Sequence, residues 1–234
     1  MFRRIGLLTT ALLFPTLFTV VYFVWLADAP TLVQQIAYAF GKAAQFILIP
    51  WAIVAFAAGA PLEKGPPRWT RGILSAGVLS GLAIGLAIAL PALFWLIPSG
   101  MFDAAAATMR IKLSGFGLTT PVRFALLALF YAVFHSGLEE YYWRWLVDRQ
   151  LRPLCGWWGS LAISSLGFTA HHVVIVATYL GWDNPWTYWA SLAVGLGGAI
   201  WAVLDRRQGT IAGAWLSHGI VDAIIFAVGW KLLN

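Results

Sequence analysis

Stretches of about twenty apolar residues follow one another along this chain with few charges between them, and few folds accommodate that pattern. A helix crossing the hydrocarbon core of a bilayer needs roughly 20 such residues at a rise of about 1.5 Å each. Seven runs approach or exceed that length: residues 5–27, 36–59, 72–97, 122–147, 158–180, 187–204 and 210–231. The pattern predicts an all-α, polytopic transmembrane helical bundle of about seven spans. Composition agrees, because 61% of residues are hydrophobic, only 10% are charged, and the mean hydropathy is +0.80. Soluble domains carry about 25% charged residues, so this chain lacks the polar surface to cover a globule in water. Seven spans and short loops use up its 234 residues, leaving no room for a separate soluble domain.

The net charge of +6 reads as membrane orientation rather than as a nucleic-acid surface. Sorted by alternate connections, Arg3, Arg4, Lys64, Arg68, Arg71, Arg149, Arg152, Arg206 and Arg207 fall on one side. Arg110, Lys112, Arg123 and Lys231 fall on the other. The positive-inside rule puts the richer side in the cytoplasm. The N-terminus is then cytoplasmic and the C-terminus exterior, as an odd number of spans requires. Ala27-Asp28-Ala29 is similar to a signal-peptidase site, but the run before it is longer than the ~7–15 residues of a signal h-region. A retained first helix is the expectation.

Residues 60–71, with three prolines and a glycine, form a turn-rich loop. Residues 98–121 form the longest exterior segment, with a short interfacial helix expected from Phe102 to Met109. Gly77, Gly81 and Gly85 recur every fourth residue, a spacing that lets helix backbones approach closely. Trp25, Trp69, Trp95, Trp157, Trp158, Trp182 and Trp186 lie near predicted helix ends, where amphipathic rings settle. The lone cysteine, Cys155, rules out an internal disulfide and a cysteine-rich zinc site.

Charge within hydrocarbon is costly, by about 2.5–3.5 kcal/mol for an Asp, Lys or Arg at a helix centre. Each such residue needs a partner or a function. His135, Glu139, Glu140 and Arg144 sit in the fourth run, His171 and His172 in the fifth, His218 and Asp222 in the seventh. Lys42 lies near the outer end of the second run, where its stem allows snorkelling. Glu140 and Arg144 are four residues apart, as are Phe168 and His172, and His218 and Asp222. On an α-helix each pair shares a face, so Glu140 and Arg144 are placed to pair. Glu139 lies about eight residues, or ~12 Å, from the cytoplasmic end of its run. One polar cavity in the cytoplasmic half of the bundle would collect these groups. Peptide hydrolysis uses such a set: a carboxylate to take a proton from water, a donor for the leaving amine, and donors facing the oxyanion. His172 and His171 point about 100° apart on a helix. His172, which shares a face with Phe168, is the functional candidate, and His171 a packing residue. His135 is either a neighbour of Glu139 in the site or a packing histidine.

Glu139-Glu140-Tyr-Tyr-Trp-Arg144 resembles the EExxxR motif of the CAAX protease and bacteriocin-processing enzyme family, also called the Abi family. Phe168-Thr-Ala-His171-His172 is similar to its FxxxH motif, and His218-Gly-Ile-Val-Asp222 to its HxxxN/D motif. The three occur in the family's order, each on its own predicted helix. The resemblance implies a division into N-terminal spans with the exterior loop, 1–121, and a four-span catalytic core, 122–234. It implies an intramembrane endopeptidase acting on a membrane-associated or lipid-modified polypeptide. In that scheme Glu139 activates water with help from His172, and His218 and Asp222 bind the oxyanion. Glu140, Arg144 and Phe168 support the site. The third motif ends in Asp; an ionised Asp222 cannot donate to an oxyanion, so it is either protonated or an orienting group for His218. No cofactor is expected, since structures in the family favour a glutamate-activated water; a zinc site of the His₂Glu type would use Glu139, His172 and His218. The expected partners are a membrane polypeptide substrate and the lipid bilayer, without nucleic acid. The compact chain reads as a prokaryotic inner-membrane protein, for which a peptide leader or C-terminal anchor is a better substrate than a prenylated tail.

Other classes use similar residues. A haem protein would ligate iron through His172 and His218, but it leaves Glu139, Glu140 and Arg144 without a role. A proton-coupled transporter would use intramembrane carboxylates and histidines as a relay. Its usual inverted repeats are absent from the sequence, and the polar groups crowd into the C-terminal half. A family member that has lost catalysis would be a membrane scaffold with a dispensable Glu139.

Overall fold

Six helices are long and apolar enough to cross a membrane in the computed structural model, which describes residues 2–56 and 67–234. They are α1 (Phe2–Trp25), α2 (Thr31–Phe56), α3 (Arg71–Leu96), α5 (Pro121–Leu180), α6 (Pro185–Gln208) and α7 (Ala212–Leu233). A shorter helix, α4 (Asp103–Gly115), occupies the segment expected to hold an interfacial helix and runs beyond it. Among the described residues no strand occurs. The chain is an integral membrane protein built as a polytopic helical bundle. Of the turn-rich stretch 60–71, residues 60–66, with Lys64, lie outside the described residues.

The count of six against seven predicted spans has a local cause. At 60 residues, α5 would extend about 90 Å if straight, three times the ~30 Å hydrocarbon core. Its path breaks at Gly156, where φ is 70° and ψ is −173°. That left-handed φ suits a residue without a Cβ. The fourth and fifth apolar runs are therefore the two limbs of one helical path, divided at Gly156. Several helices also contain wide turns bonded i→i+5, which occur often at functional sites. In α5 these are Phe130–His135 and Tyr141–Asp148, and they flank the short α-helical stretch Ser136–Glu140.

The chain forms two compact units. One comprises Met1–Pro66 with Tyr141–Val203. In it α1 packs along the later part of α5: the buried Tyr142 hydroxyl donates to Ala11 O at 2.7 Å. Gly167 leaves room for the Trp143 indole, an added Cβ there lying 2.9 Å from Cζ3 of that ring. Arg4 Nη2 donates to Gln150 O at 2.7 Å.

The other unit comprises Pro67–Glu140 with Leu204–Asn234. Its α3 and α7 lie against each other along Gly77, Gly81 and Gly85, as the four-residue spacing predicts. A Cβ added at Gly81 would stand 2.9 Å from both Ser217 O and Ile220 Cβ. Ser80 Oγ and Ser217 Oγ join the helices at 3.0 Å, one residue before His218. Thr70 and Thr120 cap the helices that follow them by accepting from Ile73 N and Arg123 N, satisfying amide groups a helix start leaves open. Arg110 donates to the carbonyls of Leu232 and Leu233, a cation placed at the negative end of α7. Trp25, Trp69, Trp95, Trp157, Trp158 and Trp182 are exposed, as residues of an interfacial belt would be.

Candidate active site

The junction between the two units falls inside the first motif, between Glu140 and Tyr141. Glu139 and Glu140 thus belong to the same unit as His135, His218 and Asp222. Arg144, Phe168, His171 and His172 belong to the other.

In the first group α7 supplies an imidazole and α5 two carboxylates. Glu139, Glu140 and His218 are almost fully buried, at 4%, 0% and 4% exposed. His218 Nδ1 lies 2.9 Å from Glu140 Oε1. A carboxylate accepts, so Nδ1 carries the hydrogen, and in the neutral ring Nε2 holds the lone pair. On that side Nε2 is 3.8 Å from Glu139 Oε2 and 3.7 Å from Asp222 Oδ1. These separations exceed a direct hydrogen bond. His135 Nδ1 is 3.9 Å from Glu139 Oε2, and its ring lies 4.6 Å from that of Tyr131. One imidazole is therefore anchored through one nitrogen and faces two carboxylates with the other. That arrangement can accept, hold and return a proton.

In the second group Arg144 is buried at 2% exposed. Its Nη2 donates to Gly198 O at 2.9 Å. The guanidinium lies over the rings of Phe168, 4.6 Å from the centroid, and Trp201, 5.4 Å away. Gly198 makes this possible: a Cβ there would lie 2.9 Å from Phe168 Cδ1 and 3.0 Å from Arg144 Nη2. His172 Nδ1 bonds to Phe168 O at 2.8 Å, so in the neutral ring its Nε2 also carries the lone pair. His171 is buried and stacks on Trp143, with rings parallel within 1° and centroids 5.8 Å apart.

Gly198 and Trp201 were invisible to motif reading, as was the bond from Glu140 to His218. The signal for the latter was only that two carboxylates and a histidine lay in apolar runs. Among the described residues no group of three or more His, Cys, Asp and Glu side chains is arranged to hold a metal ion. The zinc set Glu139, His172 and His218 draws on both units.

Buried carboxylates and histidines carried on membrane spans are the residue types that peptide hydrolysis within a bilayer would use. Residues 121–224 match the sequence model of a family described as type II CAAX prenyl endopeptidase Rce1-like, a stretch that takes in all three motifs. Over these residues, somewhat under half of its length, the chain is similar to that endopeptidase family. No curated protein and no solved structure matches it.

Proposed function

We propose that the chain is an intramembrane endopeptidase that hydrolyses a peptide bond in a membrane-associated or lipid-modified polypeptide, using a water activated by Glu139. The observation that carries the reading is the anchoring of His218 by Glu140 at 2.9 Å, with Glu139 and Asp222 facing its other nitrogen. A water beside Glu139 and His218 Nε2 gives up a proton to the Glu139 carboxylate and attacks the scissile carbonyl. The proton then passes to the leaving amine. His218 acts as the imidazolium, its Nε2–H beside Asp222; it donates to the developing oxyanion and keeps that proton through the cycle. Glu140 holds the ring in the orientation this requires. Asp222, beside Nε2, steadies the imidazolium rather than donating to the oxyanion. His172 assists with a ring oriented by Phe168 O. Arg144, held by Gly198 O and two aromatic faces, supports the site, and His171 packs against Trp143. The division of the chain into N-terminal spans, 1–121, and a catalytic core, 122–234, belongs to the same reading.

The positive-inside balance supports a cytoplasmic N-terminus and an exterior C-terminus in a prokaryotic inner membrane. A polypeptide leader or C-terminal tail entering laterally from lipid is the substrate class that fits a site carried on spans, with a CAAX-like tail as the lipid-modified form. No cofactor is required by this chemistry. The test is a comparison of membranes bearing the wild type or Glu139→Gln by peptide mass spectrometry. Fragments present only with the wild type support proteolysis and identify the substrate class. Identical fragment profiles, with candidate substrates expressed, point instead to a scaffold or a transporter.

A further inference from the structure

We infer that Trp215 is a positioning residue, which sets the two motif glutamates by holding the end of the wide turn before them. The inference rests on the reading of Glu139 and Glu140 as site carboxylates. Trp215 lies one turn before His218 on α7, and its indole Nε1 donates to Val133 O at 2.8 Å. Val133 belongs to the wide turn Phe130–His135, which hands over to regular helix at Ser136. At such a junction the ladder changes from i→i+5 to i→i+4, and a carbonyl there can take a donor from outside the helix.

Both helices are cut back to let this bond form. Gly137 lies under the indole: a Cβ there would stand 2.7 Å from Nε1 and 2.8 Å from Cε2 of Trp215. Gly219 faces Ala132 O, which leaves no space for a side chain at that position. The same carbonyl accepts from Ser136 Oγ at 2.8 Å. The outer side of the Trp215 ring meets Trp69, centroids 5.9 Å apart.

α7 therefore touches this part of α5 at two functional points. The indole holds the turn, and one turn later the imidazole of His218 binds Glu140. The turn matters because each residue of helix rotates the chain by about 100°. Relaxation of Phe130–His135 into regular α-helix changes the register of everything after it by up to one residue. Glu139 and Glu140 would then turn away from His218. The Trp215–Val133 bond opposes that relaxation.

The test uses the full chain in lipid nanodiscs, with Trp215→Phe and Gly137→Ala. The first keeps an aromatic ring and loses the N–H; the second keeps the tryptophan and displaces it. Hydrogen exchange is followed by mass spectrometry over residues 131–140. Cleavage of an internally quenched farnesylated CAAX peptide is followed in parallel. Both variants are expected to exchange faster at residues 136–140 than the wild type, with other helices unchanged. Each should lower kcat by about three- to tenfold, the size of one hydrogen bond, at an unaltered KM. Exchange at residues 136–140 equal to wild type in both variants overturns the inference, as does faster exchange with undiminished kcat or a loss confined to KM. If the wild type itself does not cleave the peptide, the failure lies with the proposed activity, and the exchange result still decides whether Trp215 holds the turn.

Discussion

Replacing Glu140 by Gln separates orientation from shape at the centre of the site. The carboxylate is fully buried and accepts from His218 Nδ1 at 2.9 Å. A hydrogen bond to a charged group contributes about 1.5–3 kcal/mol and a neutral one about 0.5–1.5 kcal/mol. Glutamine keeps an acceptor oxygen of nearly the same size, so the expected loss is the difference, about 1–1.5 kcal/mol. That corresponds to roughly a five- to twelvefold fall in kcat. Alanine removes the acceptor altogether and leaves the Nδ1–H of a buried ring unmatched, which costs a further ~1–3 kcal/mol. The order wild type, Gln, Ala is therefore expected, with Ala down by at least about thirtyfold. The assay is steady-state cleavage in lipid nanodiscs of a membrane peptide whose processing depends on Glu139. Thermal unfolding of each variant confirms that it is folded. Equal kcat in all three proteins, or a loss carried wholly by KM, would refute the orienting role of Glu140.

Arg144→Lys keeps the charge but loses the planar fork that reaches Gly198 O and lies over Phe168 and Trp201. A lysine is not equivalent at a stacked site; cleavage should fall about tenfold, measured in the same assay. Tyr142→Phe removes the hydroxyl that donates to Ala11 O. It should cost about 0.5–1.5 kcal/mol of stability, seen as a lower thermal midpoint in detergent, with kcat unchanged. Treatment of the purified protein with a strong zinc chelator should leave cleavage intact, measured before and after dialysis; loss restored by zinc would assign the chemistry to a metal.

The sequence made the bundle and the polar helices legible because hydrocarbon penalises every charge it contains. Glu139, Glu140, Arg144, His218 and Asp222 could not be read as ordinary surface residues once they lay in apolar runs. Gly77, Gly81 and Gly85 announced a close helix contact, and α3 meets α7 along them. The partner of Glu140 was less accessible. The four-residue rule compares positions along one helix, and no spacing rule reaches a histidine 78 residues further along the chain. The break at Gly156 was visible only as a gap between runs, because its effect depends on a left-handed φ. The tryptophans misled in a different way. Most do sit exposed near helix ends, but Trp143 and Trp201 are buried and Trp215 spends its N–H on another helix. Nothing in composition separates those roles.

Glu139 is the residue on which the proposed hydrolysis depends most directly. The decisive measurement is cleavage of a membrane peptide by purified wild type and Glu139→Gln in lipid nanodiscs, with matched folding and loading. Glutamine preserves size but cannot take the proton from water, so turnover should vanish at 139 while the wild type cleaves. Equal turnover by the two proteins would contradict the central claim that Glu139 activates the attacking water.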